Sequence, residues 1–168
     1  MSATPVSQSD SIQTSFRVEI GDDAPAAFVE RSVTIPGSEE PYVFGVRPDF
    51  AHHYGVEPQD YPSRPTTNDV FAAAVASCMT GTFVGTLELR GLPLTNKEID
   101  AIAEVDMGQD AELGVYVIRS IRVRFVVRVA EDQRPLVTRV HGFYDKACWL
   151  SQTLIGSRCA VASELEFE

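Results

Sequence analysis

A long apolar segment, built largely from small residues, constrains the fold more than any other part of this chain. It extends from Thr67 to Arg90, where Gly91-Leu92-Pro93 ends it, and Thr67, Asn68 or Asp69 can cap its start. Alanine, glycine and larger apolar residues surround the segment on nearly all sides, which predicts a helix buried on several sides. Small side chains also let a second helix approach closely, as a symmetry mate would.

Alternating apolar and polar residues predict strands on both sides of this helix. The clearest strand is 114–129, in which apolar residues alternate with Arg122, Arg124 and Arg128, so that one face is buried and the other is basic. Shorter strands are predicted at 15–20, 27–35, 42–46, 98–107 and 159–167. Helical segments are predicted at 134–146 and 148–155. This order predicts an α+β fold with an antiparallel sheet.

Size and composition fit one ordinary globular domain. The chain has 168 residues, of which 44% are hydrophobic, and we find no repeat, low-complexity tract or dividing linker. We therefore expect a single domain over 15–168 after a disordered N-terminal lead-in over 1–14. The proline-containing stretch from Arg47 to Thr67 is expected to be a long loop.

Charge and cysteine count restrict the partners and the compartment. The net charge of −10 argues against binding to nucleic acid or to an anionic membrane. No stretch of about 18 apolar residues indicates a membrane span, and the first residues lack the pattern of a secretory signal. An odd number of cysteines does not fit a secreted disulfide framework, so we expect a reducing cytoplasm.

Three cysteines are the candidate chemical groups. Cys78 lies within the long helical segment, Cys148 opens a shorter one, and Cys159 occupies an apolar position of the last predicted strand. Near a helix N-terminus, a thiol such as Cys148 is favoured as thiolate. Two thiols that face each other could form a redox pair, whereas separate thiols are usually small core residues. Their spacing in sequence does not decide between these alternatives.

Two other clusters carry side chains that could bind a ligand. His52-His53, together with Asp49, Glu57 and Asp60, matches no established pattern of metal ligands, so we predict no metal. The basic strand face could hold an anion. Pairing with some of the many carboxylates is the interpretation we favour.

Two motifs resemble those of a known family. The stretch Asn68–Cys78, followed by a helix to Leu89-Arg90-Gly91, resembles the first cysteine motif of the OsmC/Ohr superfamily, the osmotically inducible and organic hydroperoxide resistance proteins. The stretch Cys148–Gly156 is similar to its second cysteine motif, and the similarity covers 16–167. The resemblance implies an OsmC-like fold in which antiparallel sheets wrap around a long central helix. It also implies an intertwined homodimer with active sites at the dimer interface.

The resemblance further implies a thiol peroxidase that reduces organic hydroperoxides. Cys78 would be the peroxidatic thiol and Cys148 the resolving thiol, and the two would form a disulfide. An external dithiol, lipoyl-type in the Ohr branch, would reduce it, and no cofactor would be bound. Asp69 lies where other OsmC-like members carry a carboxylate and is included among the catalytic residues.

The chain departs from the Ohr branch at three places. Thr67-Asn68 replaces a Pro-Glu pair, the turn 21–25 lacks an arginine that stabilises the thiolate, and Trp149 replaces a proline. Three other arginines could substitute for the missing one: Arg31, Arg47 and Arg64. These departures indicate an OsmC-like branch outside true Ohr proteins.

Two alternatives to a peroxidase follow from these departures. The first is general thiol–disulfide exchange. The second is a non-catalytic OsmC-like module that binds an apolar small molecule at the dimer interface. Cys159 has no predicted role in any of these functions.

Overall fold

The computed structural model describes residues 14–20, 30–55, 57 and 63–168, without the side chains of Ile20, His52, His53 and Tyr54. The chain contains two compact units, Met1–Thr67 and Asn68–Glu168. Apart from Thr14, the expected lead-in over 1–14 lies outside the described residues. The prediction of one domain over 15–168 stays a prediction.

The first unit contains a three-stranded antiparallel sheet. Its strands are β1 (Arg17–Ile20), β2 (Arg31–Thr34) and β3 (Tyr42–Phe44), in that order. The predicted second strand began at 27, but 27–29 lie outside the described residues. Within the stretch predicted as a loop, Pro48–Tyr54 forms a 3₁₀ helix.

The second unit begins with the long helix α1, which comprises Thr67–Glu88 with its first residue in the first unit. Its buried side chains recur every three to four residues and form one stripe: Ala72, Val75, Met79, Phe83 and Leu87. Gly91, at φ 82°, supplies the left-handed turn after the helix.

Burial of α1 on several sides is not observed within one chain. Ala73, Ala74, Ser77 and Gly81 are exposed, so no element in the described part of the second unit covers the small side chains on this face. By length and composition alone α1 could cross a membrane, with a mean hydropathy of 1.7, so the expectation that no segment qualifies was wrong by this measure. Its buried stripe instead joins the core of the second unit.

The second sheet has the order β4 (Ile99–Gln109), β5 (Tyr116–Val127) and β6 (Ala160–Phe167). β4 and β5 are antiparallel, whereas β5 and β6 are parallel. The prediction of antiparallel pairing is therefore wrong for β6. A long connection between β5 and β6 lets the chain return to the starting end of β5, which a tight hairpin cannot do.

That connection carries two short helices. They are α2 (Arg134–His141) and α3 (Trp149–Leu154), with a 3₁₀ turn at Tyr144–Ala147 between them. The helix predicted to reach Lys146 ends at His141, where the Gly142 N–H closes the last turn on the Thr138 carbonyl.

The core of the second unit lies between α1, α2 and the second sheet. Phe83 of α1 stacks on Phe125 of β5 with ring centroids 4.7 Å apart, and Val137 and Val140 of α2 are fully buried in the same cluster. A long helix with two three-stranded sheets confirms the predicted α+β class.

The outer face of this sheet carries ion pairs. Arg122 lies 3.3 Å from Glu164, and Arg124 lies 3.2 Å from Glu166. Arg128 is bonded to Asp100 and Glu168. Pairing of the basic face with carboxylates, the interpretation favoured from the sequence, is confirmed.

Candidate active site

The structure brings together two sulfur atoms that lie 70 residues apart in the chain. The Sγ atoms of Cys78 and Cys148 are 3.4 Å apart, and the Cys148 thiol donates a hydrogen bond to the Cys78 sulfur. Both cysteines are reduced. A disulfide has an S–S length of about 2.05 Å, so a small movement is enough to join them.

The two thiols differ in access to solvent. Cys148 is fully buried, whereas Cys78 is half-buried on α1. Cys78 is therefore the sulfur that a molecule from solvent reaches first. Cys148 lies behind it, against the core.

Backbone hydrogen bonds hold Cys148 in place at the start of α3. Its N–H donates to the Asp145 carbonyl at 3.1 Å, and its own carbonyl accepts from the Gln152 N–H at 2.9 Å. The Gln152 side-chain amide also donates to the Asp145 carbonyl at 3.1 Å. The 3₁₀ turn before Cys148 and the helix after it therefore fix the thiol between them.

Hydrogen-bond donors around Cys148 offset its burial. Burial disfavours ionisation of the thiol. Interactions with the Ser151 hydroxyl and N–H, and then with Cys78 and Thr82, nevertheless lower the pKa of Cys148 below its ordinary value. The Ser151 Oγ is buried and makes no hydrogen bond to the thiol form within the described residues. It is therefore available to donate to the sulfur once Cys148 ionises.

The structure does not bring the third predicted catalytic residue to this pair. Asp69 lies in the first turn of α1, more than two turns before Cys78, which is about 13 Å along the axis at about 1.5 Å per residue. The candidate arginines Arg31, Arg47 and Arg64 belong to the first unit, and the turn 21–25 lies outside the described residues. The choice among these arginines stays a prediction.

Comparison with known proteins agrees with both cysteine motifs. A family model described as OsmC-like protein matches residues 60–164, which is more than half of the chain. The chain belongs to the OsmC-like family. The resemblance stated from the two motifs is thereby confirmed.

Solved structures share the fold of this OsmC-like chain at low sequence identity. An OsmC-like protein from Mycoplasma pneumoniae is 11% identical with a TM-score of 0.65, covering 93% of this chain and 97% of its own. An OsmC-like protein of unknown function from Vibrio cholerae is 13% identical with a TM-score of 0.66, covering 92% and 99%.

A hydroperoxide resistance protein is among these structural neighbours. The organic hydroperoxide resistance protein OhrB of Bacillus subtilis is 15% identical with a TM-score of 0.58, covering 92% of this chain and 98% of its own. No curated protein matches by sequence. At these identities the structural likeness describes the fold.

Cys159, the third thiol of the OsmC-like chain, stands outside the pair. It is half-buried just before β6, it packs against the core of the second unit, and its thiol donates to the Ala160 carbonyl at 4.0 Å. Burial raises the pKa of the Cys159 thiol. Nothing in the described part of the chain activates it.

Sequence reasoning missed the polar groups around Cys148. Ser151 follows Cys148 at the spacing of a helix-capping pair, so the pattern Cys-x-x-Ser at a predicted helix start was an available signal. His141 and Ser163, whose side chains meet at 3.0 Å, carry no such signal because they come from distant segments.

No metal centre is found in the part of the chain that the structure describes. It contains no group of three or more His, Cys, Asp or Glu side chains able to hold an ion. Asp60 and the side chains of His52 and His53, which formed the rejected metal cluster, lie outside the described residues.

Proposed function

We propose that this OsmC-like chain is a thiol peroxidase that reduces organic hydroperoxides. The observation that carries the proposal is the 3.4 Å separation of an accessible and a buried thiol, Cys78 and Cys148. Such a pair can donate two electrons to a peroxide and is thereby oxidised to a disulfide. Family membership and a hydroperoxide resistance protein among the structural neighbours support the assignment.

The first step uses Cys78, because it is the more accessible thiol. Its thiolate attacks the terminal oxygen of the hydroperoxide, and the O–O bond breaks. The departing alkoxide takes up a proton and leaves as an alcohol. Cys78 is oxidised to a sulfenic acid, and the peroxide is reduced.

The second step uses Cys148, which lies against the oxidised sulfur. Its thiolate attacks the Cys78 sulfenic acid, the S–S bond forms and the S–O bond breaks. The departing hydroxide takes up a proton and leaves as water. An external dithiol of lipoyl type then reduces the Cys78–Cys148 disulfide by thiol–disulfide exchange, is itself oxidised to a disulfide, and restores both thiols. No bound cofactor takes part.

The exposed face of α1 supports a homodimer. A surface groove of about 490 Å³ runs along this face, and its walls include Ala76, Ser77 and Gly81. Small residues of this kind let a second α1 pack closely. Asp69 is far from Cys78 of the same chain. This carboxylate can therefore act in catalysis only at the Cys78 of a second subunit. Ser77→Trp is expected to give monomers in light scattering, whereas unchanged mass would contradict packing through this face.

Exposed aromatic residues support an apolar substrate. Trp149, beside Cys148, is 75% exposed, and Phe71 of α1 is 40% exposed. Bulky apolar hydroperoxides are therefore expected to react faster than hydrogen peroxide. We place this reaction in the cytoplasm, where free thiols persist.

Steady-state peroxide consumption with a dithiol tests the proposal. The wild-type chain is expected to consume cumene hydroperoxide, Cys78→Ser is expected to be inactive, and Cys148→Ser is expected to accumulate overoxidised Cys78. Reduction of a disulfide substrate without any peroxide activity would instead identify thiol–disulfide exchange.

A second candidate function is non-catalytic binding of an apolar small molecule. The exposed Trp149 favours it, because an aromatic side chain at the surface provides an apolar contact. In this case quenching of Trp149 fluorescence by an apolar ligand would persist in Cys78→Ser, and peroxide would leave both thiols unchanged.

A further inference from the structure

A polar cavity adjoins α3, the helix that Cys148 opens. It has a volume of about 340 Å³, and Ser151 of α3 forms part of its wall. The other polar residues of the wall are His141, Asp145, Gln152 and Ser163. A polar cavity of this size has room for several water molecules with hydrogen-bonding partners.

Ser151 connects this cavity to Cys148. Its hydroxyl is buried, makes no hydrogen bond within the described residues, and interacts favourably with an ionised Cys148. A serine hydroxyl can donate one hydrogen bond while accepting another. Ser151 can therefore donate to the sulfur while accepting from water in the cavity.

A proton acceptor lines the same cavity as Ser151. The His141 Nε2 and the Ser163 Oγ are 3.0 Å apart, and both residues belong to the cavity wall. Burial lowers the pKa of His141, against an opposing effect of Asp145. The imidazole is therefore mainly neutral at neutral pH and able to accept a proton.

The surroundings of His141 are mostly apolar. Its ring contacts Phe83 of α1 and Phe125 of β5 edge-on, and it lies 5.8 Å from the Tyr144 ring. Asp145 is the acidic group that acts on it, and burial keeps the Tyr144 hydroxyl protonated by raising its pKa to about 12. β6 contributes the Ser163 hydroxyl. Cys148, which acts electrostatically on Tyr144, is the other titratable group on this side.

We propose that His141 is the proton acceptor for Cys148, acting through Ser163, cavity water and the Ser151 hydroxyl. This inference rests on the proposed peroxidase function for its place in the reaction. The Cys148 thiol gives its proton to His141, and the thiolate attacks the Cys78 sulfenic acid. The S–S bond forms, the S–O bond breaks, and the imidazolium returns the proton to the departing hydroxide as water. Charge, atoms and electrons balance without any further reactant.

Transient kinetics test this role. Reduced protein is mixed with one equivalent of cumene hydroperoxide, and disulfide formation is followed by acid quenching and thiol counting across a pH series. His141→Gln is expected to slow disulfide formation about 10- to 100-fold at neutral pH and to remove the fall in rate at acidic pH. The matched control Arg139→Gln, on the exposed part of α2, is expected to keep the wild-type profile.

A second measurement does not require peroxide chemistry. In a variant that carries both Cys78→Ser and Cys159→Ser, far-ultraviolet absorbance reports the Cys148 thiolate across the pH range. His141→Gln is expected to lower the thiolate fraction at neutral pH. If His141→Gln proves unstable by circular dichroism, Ser163→Ala replaces it. That variant keeps the imidazole but removes the hydroxyl that it contacts, and it is also expected to lower the thiolate fraction.

The outcomes are distinguishable. Unchanged thiolate titration and unchanged kinetic profiles in both variants would overturn the role of His141. An altered titration in a protein that fails to react with peroxide would overturn the proposed peroxidase function and support the proton path.

Discussion

Cys148 and Cys159 belong to neighbouring parts of the same unit, yet their surroundings have opposite effects. Burial acts against ionisation at both sulfurs. At Cys148, the interactions of Ser151, Cys78 and Thr82 outweigh burial and lower the pKa, whereas at Cys159 burial acts alone and raises the pKa. The comparison shows that donors aimed at sulfur, and not the extent of burial, decide which thiol is activated.

A serine lies near each of these two cysteines, but the two serines make different interactions. Ser151 interacts with the Cys148 sulfur, but Ser157 bonds only the backbone of Cys159, accepting from its N–H at 3.1 Å and donating to its carbonyl at 3.2 Å. The difference arises because Cys148 opens a helix, whose following residues turn back toward its side chain. Cys159 precedes an extended strand.

The largest expected effect separates the paired cysteines from Cys159. Cys78→Ser is expected to lower peroxide consumption by at least about 1,000-fold, because a hydroxyl is a far weaker nucleophile than a thiolate. Cys159→Ser is expected to keep wild-type turnover in the same dithiol-coupled assay. An equal loss of peroxide consumption in both variants would contradict the distinction between the Cys78–Cys148 pair and Cys159.

Mutations near the Cys78–Cys148 pair and near Cys159 are also expected to differ in their effect on the free energy of unfolding. Phe83, which belongs to the same core cluster as Cys148, is fully buried, whereas Ile155, which precedes Cys159, is 71% exposed. Phe83→Ala is expected to lower the free energy of unfolding by about 3–5 kcal/mol, and Ile155→Ala by less than about 0.5 kcal/mol. Urea denaturation followed by circular dichroism measures both, and similar losses would contradict this division.

Part of this architecture was accessible from the sequence, since it depends on local pattern. The uninterrupted apolar run predicted α1 almost to its ends, and strict alternation predicted β5. The parallel pairing of β6 was not predicted, because a strand pattern does not record the direction of its partner. The helix predicted through Lys146 also gave no sign of the break after His141.

The candidate site was predictable in its residue types but not in its geometry. The two motifs selected Cys78 and Cys148, yet only packing of α1 against the segment before α3 shows that their sulfurs meet. The cavity lined by Ser151 joins residues from five segments, and no sequence period relates them. The match of the basic strand face with carboxylates was expected from composition alone.

The pH dependence of reactivity gives a third test. Because the pKa of Cys148 is lowered and that of Cys159 is raised, the Cys148 thiolate is expected to appear at lower pH. Single-cysteine variants titrated by thiolate absorbance are expected to show an earlier rise for Cys148. Coincident curves would mean that the donors at Cys148 have no net effect.

The two serines provide a matched pair of smaller effect. Ser151→Ala removes a donor to the sulfur and is expected to slow disulfide formation about tenfold, since one hydrogen bond to a charged group contributes about 1.5 kcal/mol. Ser157→Ala removes only backbone contacts and is expected to leave this rate unchanged. Rapid acid quenching with thiol counting measures both rates. A slower rate of disulfide formation in Ser157→Ala than in Ser151→Ala would contradict the role of Ser151 as donor to the Cys148 sulfur.

The smallest expected effect concerns two threonines of α1. Thr82 and Thr80 each donate to the carbonyl four residues earlier at 2.8 Å, but only Thr82 also interacts with Cys148. Thr82→Val is expected to slow disulfide formation about two- to threefold, consistent with loss of about 0.5 kcal/mol. Thr80→Val should react at the wild-type rate, and an equal slowing would assign the effect to the helix itself.

The central claim is that peroxide converts Cys78 and Cys148 into a disulfide. Thiol counting and intact mass, before and after one equivalent of cumene hydroperoxide, test it most directly, with hydrogen peroxide as control. We expect the loss of two thiols and of about two mass units, abolished by Cys78→Ser and unaffected by Cys159→Ser. Survival of both thiols would contradict the claim and favour a binding protein.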